Sequence, residues 1–203
     1  MFPSLSEKVR KAIEIAPAGI ATLDVLESLQ LCGDDTLKTT LNRLYKKGAI
    51  ARLKRGTYAS LPLLDGFAGA LATFNGYLGF SSALYLHKIT AEQPFVFIIV
   101  TTATSATKSL GQYEFKAVAL KEKAAGFEYK GTLAVSTRAK TLFDCLYLPR
   151  YSIEHGKLLE AFGSAKLLKS EWREFDEYVK RFAIGKTAER MRKAKQEITG
   201  RTG

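Results

Sequence analysis

The stretch DDTLKTTLNRLYKKGAIARLKRGTYASL, residues 34–61, decides how the chain is read. Leu37, Leu41 and Leu44 recur at helical spacing, so a helix with one apolar face is predicted, capped by Asp34 or Asp35 and running to about Lys47. Gly48 suits its end, and Ala49–Leu53 and Thr57–Leu61 read as two short strands joined through Lys54-Arg55-Gly56. Between Thr36 and Leu64 lie seven cations, Lys38, Arg43, Lys46, Lys47, Arg52, Lys54 and Arg55, and no acid. Solvation alone would mix both signs, so such a run points to a polyanionic partner.

Upstream, Ser4-Leu5-Ser6-Glu7 fits a capping box, and Leu5, Val9, Ala12, Ile13 and Ala16 predict a first helix over about 5–16 that Pro17 and Gly19 stop. Thr22 can cap a short second helix with Leu23, Leu26 and Leu29 inward, and Leu31-Cys32-Gly33 supplies the turn into the third. Three helices followed by a two-stranded wing make a winged helix-turn-helix of residues 1–62. On its third helix Thr39, Asn42, Arg43 and Lys46 face away from the leucines, with Thr36 near the edge. Arg can bridge guanine O6 and N7, Asn can pair with adenine, and Thr or Lys can reach a base or phosphate. Lys38, Lys46, Lys47, Arg52, Lys54 and Arg55 are expected to meet the backbone of double-stranded DNA.

From Asp65 the composition turns aromatic and aliphatic, and a second domain, residues 63–203, is expected. Helices are predicted at 66–74 and 81–88, strands at 95–101, 113–120, 126–130 and 132–135, and then helices at 137–146, 153–162, 170–182 and 187–198. The fold class is therefore α+β, a winged helix followed by a small mixed sheet and C-terminal helices.

The net charge of +11 on 203 residues is unevenly held. Residues 1–62 carry 10 Lys and Arg against 6 acids, residues 63–179 carry 13 against 12, and residues 180–203 carry 8 against 2. The tail cations Lys186, Arg190, Arg192, Lys193 and Lys195, with Arg201, form a candidate second basic contact, the alternative being a solvated helix. No stretch is long and apolar enough for a membrane span and the start lacks a secretory pattern, so a cytoplasmic protein is expected.

Two histidines, His87 and His155, and two distant cysteines, Cys32 and Cys145, offer little for a metal site or a nucleophilic triad, and no phosphate-binding glycine loop is present. No cofactor, metal or catalytic residue is expected. One enzyme pattern stands against this: Glu114-Phe115-Lys116, echoed at Glu128-Tyr129-Lys130, is how a metal-dependent nuclease presents acid and Lys on a strand, with Glu92 as the upstream acid. A protein–protein interaction module is the other alternative.

The segments Arg52-Leu53-Lys54-Arg55-Gly56-Thr57-Tyr58-Ala59, Ser81–His87, Phe97–Thr102 and Val135–Asp144 together resemble the AbiEi family of antitoxins and transcriptional regulators, over most of the chain. The resemblance implies the antitoxin of a type IV toxin–antitoxin pair, with a nucleotidyltransferase-like toxin as partner. It further implies repression of its own promoter through inverted repeats bound by the winged helix, with antitoxic function in the second domain. His87 and Asp144 match recurring positions of that pattern, and no catalytic role comes with them.

Overall fold

The computed structural model describes residues 2–200 and divides into two compact units, one ending at Phe74 and one beginning at Asn75. In the first unit, α1 (Leu5–Ile15) opens with the expected capping box: Ser4 Oγ accepts from the Glu7 amide at 3.3 Å, and the Ser4 amide donates to Glu7 Oε2 at 2.6 Å. After a 3-10 turn at Pro17–Gly19 come β1 (Ile20–Thr22), α2 (Leu23–Ser28) and α3 (Asp34–Lys46). The chain continues through β2 (Ile50–Lys54), β3 (Thr57–Ser60) and α4 (Gly66–Thr73). Thr22 caps α2 by accepting from the Val25 amide at 3.3 Å. The three strands form an antiparallel sheet in the order β1-β3-β2. Val9, Ile13, Leu26, Leu37, Leu41, Leu44, Ile50 and Tyr58 fill the core beneath it. This order of elements is compatible with a winged helix-turn-helix.

Two readings change here. The strand β1 was not foreseen, because three residues acquire strand character only by pairing with β3, Ile20 opposite Ala59. The helix expected to open the second domain, α4, instead closes the first unit: Asp65 Oδ1 accepts from the Phe67 and Ala68 amides at 2.8 and 3.1 Å, and the helix packs on β2 and β3. The unit therefore reaches Phe74 rather than ending at Pro62.

The second unit is α+β. Its elements are β4 (Tyr77–Leu78), α5 (Phe80–Leu86), β5 (Val96–Thr101), β6 (Ala106–Leu110), β7 (Tyr113–Ala119), β8 (Phe127–Lys130), β9 (Leu133–Ser136), α6 (Arg138–Tyr147), α7 (His155–Ala165), α8 (Lys169–Phe182) and α9 (Gly185–Gly200). The six strands run β6-β7-β5-β4-β9-β8, with β5–β7 and β4–β9 parallel and the other pairs antiparallel. One continuous core joins Phe80, Leu84, Val100 and Val118 to Leu142, Phe143, Leu158, Phe162, Phe175, Met191 and Ile198.

Within this core lies a charged pair. Lys140 Nζ donates to Asp144 Oδ1 at 2.5 Å, one helical turn apart on α6, and both side chains are fully buried. The rings of Phe143, Tyr178 and Tyr77 stand 5.6, 5.8 and 6.0 Å from the ammonium. Among the described residues Asp144 Oδ2 has no hydrogen-bond partner. Burial pushes the Asp144 carboxyl up to about 6 and depresses the Lys140 ammonium, each toward its neutral form. Among the described residues no helix is long and apolar enough to cross a membrane.

Candidate nucleic-acid interface

The local sequence accounts for α3. Gly33 is its N-cap, without a side-chain bond, so Asp34 and Asp35 are not caps but first-turn acids that complement the positive end of the helix dipole. Leu37, Thr40, Leu41 and Leu44 are buried, and the opposite side is exposed. At 3.6 residues per turn Thr39, Asn42 and Lys46 lie at the centre of that exposed side, Thr36 and Arg43 on one flank, and Lys38 with Tyr45 on the other. Every predicted contact residue on this helix and beyond it is exposed: Thr36, Lys38, Thr39, Asn42, Arg43, Lys46, Lys47, Arg52, Lys54 and Arg55.

The wing is short. Lys54 pairs with Thr57, leaving Arg55-Gly56 as the turn, and Gly56 at φ 73° takes the left-handed conformation such a turn needs. The register slips between Arg52 and Lys54, a bulge at Leu53 that buries this leucine while Arg52, Lys54 and Arg55 stay exposed. A cleft of about 480 Å³ lined by Thr22, Asp24, Lys38, Arg52, Arg55 and Tyr58 brings the Lys38 flank of α3 to the wing. Lys38 of α3 thus shares one cleft with the hairpin cations Arg52 and Arg55.

That surface is less uniformly basic in space than in sequence. Lys38 Nζ stands 3.4 Å from Glu27 Oε1, and Asp24 lines the cleft, so α2 contributes acids that the run from Thr36 to Leu64 lacks. Arg43 Nη2 donates to Ser6 Oγ at 3.0 Å, which fastens this guanidinium to the start of α1. Tyr45, 47% exposed beside Lys38, was missed; its place on the solvated flank of the wheel was the available signal.

The C-terminal cations do not form a loose tail. They ride on α9, which inserts Ala188, Met191, Ala194 and Ile198 into the core of the second unit. Arg190 donates to the Leu146 carbonyl at 2.7 Å, satisfying the end of α6. Lys195 donates to Asp176 Oδ2 at 2.7 Å and sits 5.5 Å from the Trp172 ring. Lys186, Arg192 and Lys193 are exposed, and Glu189 is exposed among them. Arg201 lies outside the described residues.

The nuclease pattern is not gathered into a metal centre. Glu114 lies on β7 opposite Ser109 and Val96, whereas Glu92 lines a cavity with Lys88, Lys157 and Glu160. Among the described residues no group of three or more His, Cys, Asp or Glu side chains converges on a point where a cation could bind. Glu128 and Lys130 sit on the exposed edge strand β8. His87 Nε2 lies 2.6 Å from the Ser136 carbonyl, burial lowers its pKa to about 4, and its buried Nδ1 has no partner among the described residues. Burial likewise pushes the Cys145 thiol up to about 12. No family model and no curated protein matches this chain.

Proposed function

We propose that the chain is a sequence-specific DNA-binding repressor that acts in the cytoplasm as the antitoxin of a type IV toxin–antitoxin pair. The observation that supports the DNA-binding half is the exposure of the polar face of α3 together with a cleft that brings its Lys38 flank to Arg52 and Arg55 of the wing. In this reading α3 enters the major groove of an inverted-repeat promoter site, one copy of the chain per half-site, and the wing holds flanking phosphates. Thr39, Asn42 and Lys46, at the middle of the face, contact base edges. Arg43, anchored by Ser6, contacts the groove wall, and Lys47, Lys54 and Arg55 supply the phosphate contacts. The antitoxin half, with a nucleotidyltransferase-like toxin as partner, rests on the resemblance of the wing, Ser81–His87 and Val135–Asp144 segments to AbiEi proteins.

Fluorescence anisotropy on a duplex from the chain's own promoter and on a random duplex tests the division of labour. Asn42→Ala is expected to cost about 1–3 kcal/mol on the promoter duplex and little on the random one. Lys47→Ala is expected to weaken both alike and to reduce the salt slope by about 1. Both side chains are exposed, so melting temperatures should not move. Equal losses on both duplexes for both variants, or an affinity indifferent to salt, would exclude groove reading.

A further inference from the structure

The motif Glu114-Phe115-Lys116 left Lys116 unexplained, and its surroundings give it a use. A cavity of about 490 Å³ in the second unit is lined by Ser81 of α5, Val96 and Ile98 of β5, Lys116 of β7, and Arg150 and Tyr151. Its charged lining is wholly cationic. Lys116 Nζ lies 5.6 Å and the Arg150 guanidinium 4.8 Å from the centroid of the one Tyr151 ring, and the edge of Phe80 fixes that ring from a further side at 5.3 Å. Neither cation forms an ion pair with a described residue. Glu114, two residues from Lys116 on β7, follows the strand alternation onto the face of Lys116 but does not line the cavity.

Two like charges held near one ring from separate elements repel each other, and solvent screens that repulsion only in part. The ring face recovers part of that cost. An anion of matching charge recovers more. We infer that this cavity binds a small ligand through a phosphate monoester group. Such a group carries nearly two negative charges at neutral pH, which matches Lys116 and Arg150 together, whereas a carboxylate or a nucleic-acid phosphodiester carries one. Arg150 offers a planar fork to two phosphate oxygens, Lys116 a point charge to the third, and the Ser81 hydroxyl a further donor. The volume lies within the range of small-molecule sites, so a nucleoside monophosphate is an admissible size. The inference goes beyond DNA binding and concerns the second unit alone.

Calorimetry on the full chain tests it with three probes at constant ionic strength: inorganic phosphate, a nucleoside 5′-monophosphate, and a short oligonucleotide lacking terminal phosphates. Both monoester probes are expected to bind, and a tighter monophosphate would identify the nucleoside as part of the ligand. Lys116→Gln and Arg150→Gln should each weaken binding about tenfold or more. Glu114→Gln should tighten it a few-fold, a gain that loss of folding cannot imitate. The double variant Lys116→Gln/Arg150→Gln should melt close to the parent protein, since Arg150 is exposed and Lys116 only half-buried. Binding unchanged in the double variant, heats no larger than those of chloride, or an oligonucleotide that binds as well as the monoesters would each overturn the assignment.

Discussion

Replacing Asp144 with leucine strands the Lys140 ammonium in the interior, and its cost follows from the geometry. Both side chains are fully buried, and among the described residues Asp144, through the 2.5 Å contact to Oδ1, is the sole ion-pair partner of the ammonium. Removing one member of such a pair costs about 3–5 kcal/mol, because the remaining charge loses its partner without regaining water. The rings of Tyr77, Phe143 and Tyr178, at 5.6 to 6.0 Å, offset roughly 1–2 kcal/mol of this through their negative faces, which places Asp144→Leu near the lower end, about 3 kcal/mol. Lys140→Met should be milder at low pH, since the orphaned carboxyl can take up a proton, and worse at pH 8 than at pH 5. The double variant Lys140→Met/Asp144→Leu should return to within about 1 kcal/mol of the parent, because burying two apolar side chains carries no desolvation penalty. Urea unfolding followed by the fluorescence of Trp172, the sole tryptophan, reads the second unit, where its ring packs edge-on against Phe175. A double variant as unstable as the sum of the two singles, or an Asp144→Leu cost below about 1 kcal/mol, would refute the reasoning.

His87 gives a pH signature of defined sign. Burial lowers its folded-state pKa to about 4 from 6.5, so the unfolded chain binds the proton more readily, and the stability His87 protects is complete above pH 6.5 and lost as pH falls toward 4. The loss should amount to about 2–3 kcal/mol after allowing for partial exposure, and His87→Gln should remove it; urea midpoints with equal pH slopes in both proteins would contradict this. Gly76 holds φ at 151°, and a Cβ there would drive into the Val100 carbonyl oxygen where β4 pairs with β5. Gly76→Ala should therefore cost about 3 kcal/mol or more and lower the Tm by about 10 °C, whereas a Tm within 2 °C of the parent in a calorimetric scan would show that the backbone yields there.

Features written in neighbouring residues were legible. The capping box of α1, the Thr22 cap and the leucine face of α3 depend on contacts within a few positions and stand where the chain's own spacing puts them. The wing turn is Arg55-Gly56, one residue shorter than the expected Lys54-Arg55-Gly56 because Lys54 pairs with Thr57. Features made by distant partners were not. β1 exists because β3 lies beside it, β4 is two residues held between β5 and β9, and the polar strand β6 is recruited by β7. At the candidate interface the exposed face was readable from helical periodicity. Glu27 reaching Lys38 and Ser6 catching Arg43 were not, because those partners come from other helices. A Lys and an Asp one turn apart ordinarily mark a wet helix face, so nothing local announced that Lys140 and Asp144 lie inside. In α9 the abundance of cations masked two small residues, Ala188 and Ala194, that do much of the burying.

The seating of α9 also sets an order of events during synthesis. The first unit has all its parts once Phe74 has been made, but the second cannot close its core until Ile198 arrives, since Met191, Ala194 and Ile198 pack with residues of α6 and α7. At translation rates of about 5–20 residues per second, roughly 6–25 seconds separate the two moments. For that interval each nascent chain presents a finished basic module tethered to a partner still open to solvent.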